Sequence, residues 1–262
     1  DINKDWLDDF DHFMIKEGKS PTTVSMYIRT FRTIYNEAIS AGTIQRELYP
    51  FGKGKYQPPS ARKVKKALTR EEVKKLFMSQ PGTPEQTKAK DFWFFSYALN
   101  GMNFKDIANL KHKDIQNDKI EFFRAKTIQT SKTNLKPITV FMNDYTKDVI
   151  TKYSQTNGKS DGFIFDIIKP GQDPIATNSS IKNFIKFVNQ HIKKLCLAND
   201  ITTEVSTYWA RHTFATLAVR NGASLEFIQE SLGHGDLKTT QGYFAGFDNE
   251  AKKEFAGKIM DF

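Results

Sequence analysis

Cysteine is almost absent: the 262-residue chain has one, Cys196. A single thiol excludes an internal disulfide and a cysteine-based zinc site, and it suits a reducing compartment. No apolar run approaches the roughly 20 residues that cross a bilayer, and no signal peptide is read at the start, so no membrane partner is expected and the protein is placed in the cytoplasm. Glycine-rich loops of the kind that cradle nucleotides are missing too. Acidic residues are in deficit, with 39 Lys plus Arg against 30 Asp plus Glu, a net charge of +9 and a pI near 9.3. That balance points to a polyanionic partner. Hydrophobic residues make up 39 % of the chain and phenylalanine contributes 22 of them, which excludes a disordered chain and supplies core enough for one large domain or two smaller ones.

What is present is mostly helix. Ile2, Trp6, Phe10, Phe13 and Met14 share one helical face up to Gly18; after Ser20-Pro21, residues Val24, Tyr27, Ile28, Phe31, Ile34, Tyr35 and Ala38 form a second stripe that runs to Gly42. Lys16, Lys19, Arg29 and Arg32 are read as a basic exterior of this pair. From Tyr49 to Leu68 prolines, glycines and lysines replace the pattern, which predicts an extended basic linker. Thr69 with Glu72 is a capping box that opens a second domain, and Pro84 opens a helix whose Phe92, Trp93, Phe95 and Leu99 suit a central core element ending at Asn100-Gly101. Segments 115–116, 119–124 and 137–142 alternate and are rich in β-branched and aromatic residues, predicting a small antiparallel sheet. Asn143 caps a further helix ending at Asn157-Gly158, and a long amphipathic helix carries Ile181, Phe184, Ile185, Val188, Ile192 and Leu195. The fold class is therefore mainly α with a small antiparallel β-sheet, in two domains: 1–55, a basic linker 56–68, and 69–262, the last ending in an amphipathic tail with Phe255, Ile259, Met260 and Phe262.

The most informative stretch runs from Thr207 to Phe247, TYWARHTFATLAVRNGASLEFIQESLGHGDLKTTQGYFAGF. It reads as a helix stopped by Gly222, a second helix capped by Ser224 and closed by Gly233, and a short third capped by Asp236 and leading to Tyr243. Arg211, His234 and Tyr243 stand at the edges of these elements, where packing does not require them. A guanidinium forks two N–H donors onto two phosphate oxygens in a way lysine cannot. An imidazole donates to a phosphate oxygen or passes a proton. A phenol can attack phosphorus and hold it covalently, splitting one transfer into two easier steps. Because a phenol ordinarily titrates near 10, it needs a cationic neighbourhood, which Arg211 and His234 are expected to supply.

Arg211-His212-Thr213-Phe214, then Leu232-Gly233-His234, then Thr239-Thr240 and Tyr243-Phe244 resemble in order and spacing the C-terminal signature of the tyrosine recombinase (phage integrase) family, with His234 nine residues and Arg211 thirty-two residues before the tyrosine. The resemblance implies a helical core-binding domain that clamps DNA at residues 1–55 and a catalytic domain over 69–262. It also implies double-stranded DNA as partner, no metal and no cofactor, a homotetramer on DNA joined through the C-terminal tail, and work at the nucleoid, with mobile elements the commonest setting. The expected reaction is cleavage by Tyr243 to a 3′-phosphotyrosyl link, with charge on the phosphate stabilised by Arg211, His234 and Tyr208. Two residues depart from the pattern. Asn103 stands where the first box, Gly101-Met102-Asn103-Phe104-Lys105-Asp106, usually has an arginine, and Tyr208 stands where a histidine precedes Arg211 by three. Asn103 is a good helix cap but supplies no cation. Arg124, two residues before Lys126 and so read on the same sheet face, is the candidate substitute. Lys126 in Arg124-Ala125-Lys126-Thr127 resembles the strand-end lysine that protonates the leaving 5′ oxygen, and Lys132 is the alternative. Two rival functions stand beside recombination: a DNA-binding relative that has lost efficient cleavage, motivated by Asn103, and strand relaxation of the type IB topoisomerase kind.

Overall fold

The computed structural model describes residues 2–59, 67–126, 128, 136–155, 160–244, 246–247, 252–253 and 256–257. Lys132, Asn157-Gly158, most of the basic linker and the tail residues Phe255, Ile259, Met260 and Phe262 lie outside the described residues. The chain divides into two compact units, Asp1–Val64 and Lys65–Phe262.

The first unit is built on α1 (Lys4–Lys16) and α2 (Pro21–Ser40). The cap of each follows from its sequence: Asn3 accepts from the Trp6 N–H, and Ser20 accepts from Thr23 with Pro21 in the first turn. Leu7, Val24, Ile28 and Tyr35 form the core, whereas Trp6 and Phe13, read from periodicity as inward, are about half exposed. Phe51 and Tyr56 close this core, so the composition change at Tyr49 is not where the fold ends. Two of the four residues read as basic exterior also do structural work here. The Arg29 guanidinium returns to Ser25, and Arg32 donates to the Tyr49 hydroxyl at 2.7 Å while lying over the Tyr49 and Phe51 rings.

The second unit surrounds one helix. It begins with α3 (Arg70–Met78), opened by the reciprocal Thr69–Glu72 capping box. Then α4 (Pro84–Ala98) buries Ala89 and the run from Phe92 to Ser96 on all sides, as its uniformly apolar sequence demands. The Phe92 ring makes edge-on contacts of 4.9 Å with both Phe165 and Phe184 and lies 5.2 Å from Tyr153, so three separate segments meet on it. After α5 (Phe104–Asn109) come β1 (Ile115–Gln116), β2 (Lys119–Phe122) and β3 (Ile138–Phe141), antiparallel in the order β1-β2-β3. Ile120 pairs with Val140 and Phe122 with Ile138, which turns these four side chains inward and leaves Phe141 in solvent. The sheet is closed off by α6 (Asp144–Tyr153) and the long α7 (Pro174–Ala198), which Asp173 caps and Pro174 opens a turn earlier than its apolar stripe suggests. Last come α8 (Thr207–Arg220), α9 (Leu225–Leu232) and α10 (Leu237–Gln241). Among the described residues no helix is long and apolar enough to cross a membrane, and no group of His, Cys, Asp or Glu is arranged to hold a metal ion.

One expectation about the sheet fails. β2 ends at Phe122, so Arg124 and Lys126 lie in the turn that follows and not on alternating strand positions. A period-of-two reading of their directions does not apply to them.

Truncation of Phe92 tests the central role of α4. We expect Phe92→Ala to cost about 3–5 kcal/mol, the range for deleting a fully buried aromatic ring, read as a lowered midpoint in urea unfolding. A loss below about 1 kcal/mol would show that the three segments do not depend on this ring.

Candidate active site

The site forms where the end of α4, the turn after β2, and helices α8 to α10 converge. Arg211, in the first half of α8, is 4 % exposed. Its Nη1 donates to the Gly101 carbonyl at 3.0 Å, and its Nη2 donates to the Leu232 carbonyl at 2.5 Å and reaches His234 Nε2 at 3.1 Å. The buried Nε has no hydrogen-bond partner among the described residues. Local conformation makes these contacts possible. Asn100 and Gly101 leave α4 with φ of 55° and 68°, and a Cβ on Gly101 would lie 2.8 Å from the Arg211 Cα. At position 101 only glycine combines a positive φ with so close an approach.

Gly233 is the left-handed stop of α9, with φ of 61°, and a Cβ there would meet the Ile138 side chain at 2.3 Å. Its carbonyl accepts from Arg124 Nη1 at 3.2 Å. The two arginines are thus held on the carbonyls of consecutive residues, Leu232 and Gly233. Asn103, by contrast, is engaged as the N-cap of α5, accepting from the Lys105 N–H at 3.0 Å. Asp106, in the first turn of α5, is buried, and it accepts from the Ala125 N–H at 2.8 Å between Arg124 and Lys126.

His234 is 8 % exposed, and its Nδ1 lies 2.9 Å from the Thr240 hydroxyl. A guanidinium can only donate, so Nε2 facing Arg211 carries the lone pair and the ring proton sits on Nδ1, donated to Thr240. Burial, followed by the charges of Arg211 and Arg124, pushes the imidazole down from its ordinary 6.5 to about 3. It is uncharged at neutral pH, which corrects the expectation that His234 helps supply the cationic neighbourhood. That neighbourhood is made by Arg211 and Arg124. Burial and Arg124 also lower Arg211 to about 10, leaving it charged at neutral pH, while burial raises the Asp106 carboxyl despite the Ala125 N–H and both arginines. Lys126 is exposed on the same turn and adds to the field at His234.

Tyr243 is half-buried, two residues past α10. Its ring stacks on His212 at 4.5 Å and 24°, lies 4.8 Å from His234 and 5.8 Å from Tyr208, and faces the Arg211 guanidinium at 5.3 Å. Its hydroxyl accepts from the Tyr208 hydroxyl at 3.0 Å. Burial and this bond hold the Tyr208 phenol above its usual value. The residues singled out from sequence, Arg211, His234, Tyr243, Tyr208 and Arg124, therefore share one site, with Lys126 at its edge. Sequence reasoning missed Asp106, Thr240 and His212. The visible signal for His212 was its place four residues after Tyr208 on one helix face.

The chain resembles known proteins in sequence and in fold. A family profile described as Phage integrase family matches residues 66–250, and one described as Phage integrase SAM-like domain matches residues 1–57. The chain belongs to the phage integrase family, the tyrosine recombinases. Among its relatives is Tyrosine recombinase XerD of Listeria innocua, 27 % identical over 237 residues that span 88 % of this chain and 74 % of the relative. Another is Tyrosine recombinase XerA of Thermococcus kodakarensis, 25 % identical over 269 residues, 90 % of this chain and 89 % of that one. The fold is also that of the Tn1549 transposon integrase solved with transposon right end DNA, with a TM-score of 0.68 at 16 % identity over 98 % of this chain and 85 % of the other. A lambda integrase dimer bound to a COC′ core site gives a TM-score of 0.63 at 17 % identity, covering 93 % and 80 %. Site-specific recombination through a tyrosine is the activity of this chain, and neither rival reading is favoured.

The state of His234 has a consequence for stability. Between pH 6.5 and about 3 the unfolded chain binds a proton on this ring that the folded chain refuses, so stability falls as pH falls through that window and recovers as it rises. We expect the urea midpoint of the protein alone to drop more steeply from pH 7 to about pH 5 in wild type than in His234→Asn. Equal slopes would show that the imidazole is not held neutral.

Proposed function

We propose that this chain binds duplex DNA through both units and exchanges strands at defined sites by way of a covalent 3′-phosphotyrosyl intermediate on Tyr243. Tyr243 Oη attacks phosphorus and the bond to O5′ breaks. Lys126 protonates the departing oxygen, because an alkoxide leaves poorly. Arg211 and Arg124 bind the non-bridging oxygens, with Arg124 taking the place of the arginine that Asn103 lacks. Support for this comes from the seating of both guanidiniums on the adjacent carbonyls of Leu232 and Gly233, and from the field of Arg124 felt at both Arg211 and His234. Tyr208 adds a neutral donor beside the attacking oxygen.

The proton of Tyr243 passes to His234 Nε2, whose lone pair Arg211 Nη2 releases on turning to the phosphate. In the protein alone that nitrogen is a poor base, since burial and then the two guanidiniums oppose its protonation. A phosphodiester between them brings a negative charge that offsets this field, so the imidazole regains basicity when the substrate arrives. Attack of a 5′ hydroxyl from a second duplex on the phosphotyrosine then reverses the step and joins the new strands.

The basic balance of the chain, +9 overall, makes binding depend mainly on phosphate contacts and hence steeply on salt. The first unit (1–55) and the basic segment 56–68 contribute to this grip, with the catalytic domain over 69–262. A lambda integrase tetramer has been solved on a Holliday junction; we assign this chain a tetramer on DNA, with the C-terminal tail passed to a neighbour. It works where the DNA lies, at the nucleoid.

The single observation that carries this reading is the convergence of the Tyr243 phenol on the buried Arg211 guanidinium, whose charge is coupled to that of the part-buried Arg124. A duplex nicked near the cleavage point, which traps the covalent product, tests it. Wild type should form an adduct and Tyr243→Phe none. Arg124→Ala should slow adduct formation by about 10²–10³-fold, as loss of one donor to a developing oxyanion does, and Asn103→Arg in that background should recover part of the rate. An Arg124→Ala rate within about threefold of wild type would take Arg124 out of the mechanism.

A further inference from the structure

Arg211 occupies one row of α8; the neighbouring row consists of Tyr208, His212, Thr216 and Arg220, spaced every four residues and therefore on one ridge of the helix. All four reach the segment that carries Tyr243. Tyr208 donates to its hydroxyl at 3.0 Å. His212 Nδ1 lies 3.1 Å from the Tyr243 main-chain carbonyl, and the Thr216 hydroxyl donates to the same oxygen at 3.4 Å. Arg220 donates from both Nε and Nη2 to the Gly246 carbonyl, at 3.1 and 2.8 Å. A ring nitrogen facing a carbonyl must carry a proton, so His212 is a donor here.

Three of these four side chains grip backbone. They fix where the Tyr243 main chain lies without contacting the phenol oxygen, while the stacked His212 ring limits how the phenol swings. α10 ends just before, with the Tyr243 N–H bonded to the Thr240 carbonyl, so the main chain is pinned before, at and after the tyrosine. One helix thus carries both the guanidinium that grips phosphate and the ridge that holds the nucleophile, and the spacing between its two rows becomes the spacing between attacking oxygen and phosphorus.

We propose that His212, Thr216 and Arg220 are positioning residues for the nucleophile, clamping the main chain on both sides of Tyr243 to the helix that carries Arg211 and so setting the attack distance without touching DNA. The proposal rests on Tyr243 being the nucleophile. It assigns Arg220, at the far end of α8 from Tyr208, a part in the rate of cleavage and none in DNA affinity.

The test measures single-turnover adduct formation at saturating nicked duplex, DNA affinity by fluorescence anisotropy, and thermal stability, for Arg220→Met, Arg220→Lys, His212→Leu and His212→Asn. Arg220→Met and His212→Leu should slow adduct formation by about 10- to 100-fold, the scale of an ångström-level misplacement, with affinity within about twofold of wild type. Asparagine places an amide donor near where Nδ1 stands, so His212→Asn should retain several times the rate of His212→Leu, although both lose the ring stack. Arg220→Lys, with one donor left, should fall between wild type and Arg220→Met. Rates close to wild type in both Arg220→Met and His212→Leu would overturn the proposal. So would a loss of rate matched by equal losses in affinity or melting temperature, or an Asn variant no better than Leu, since each would assign these residues to folding alone. An undiminished adduct in Tyr243→Phe would instead overturn the assignment of the nucleophile, a separate result from the failure of the clamp.

Discussion

One buried guanidinium holds the catalytic unit's business end together. Arg211 joins the Gly101 carbonyl at the end of α4 to the Leu232 carbonyl at the end of α9, and touches His234 and Tyr243 beyond. Gly101 is far along the chain from the other three, and the four belong to no common element. Burying a charge is costly unless hydrogen bonds and partners compensate, and here two carbonyls and an imidazole lone pair share the task. Compensation is incomplete: the only buried carboxylate among the described residues, Asp106, faces Arg124 as well as Arg211 and is itself pushed toward neutrality by burial. The site carries a surplus of positive charge, and an anion is what relieves it.

That surplus also sets the protonation of its neighbours. Burial, with the charges of Arg211 and Arg124 added to it, leaves His234 uncharged. In the proposed reaction, substrate binding and proton transfer are linked through that field, and the tautomer is set beforehand by Thr240. The fixed Nδ1 proton leaves the Nε2 lone pair facing Arg211.

Much of this was legible in the chain. The helices of the second unit announced themselves through caps and stripes: Thr69 with Glu72, Asn143, Ser224, Asp236. The grouping of Arg211, His234 and Tyr243 was read from their residue types and from the resemblance of their order and spacing to the tyrosine recombinase signature. Three things were not legible. The inward side of α1 is centred on Leu7 and not on Trp6 and Phe13, since a periodic stripe in a two-helix unit does not say which of its edges meets the partner. The charge of His234 depends on burial and on Arg124, a residue over a hundred positions away in sequence. The direction of Arg124 could not come from strand alternation, because the strand stops at Phe122 and a turn obeys no period.

The replacement of an arginine by Asn103 changes more than one position. An arginine in the first box would be presented by the start of α5, rigidly joined to α4. Here Asn103 serves that helix as its cap, and in the proposed mechanism the cation is Arg124, from the turn after β2 that also carries Lys126. Two side chains of the site thus depend on one short segment, 124–126, which would wander if nothing held it. Among the bonds that hold it, two reach other elements: Arg124 to the Gly233 carbonyl on one side, and the Ala125 N–H to the Asp106 carboxylate on the other. Asp106 belongs to the first turn of the helix that Asn103 caps. The box that no longer supplies the cation therefore still determines where the cation stands, through a hydrogen bond to the residue beside it.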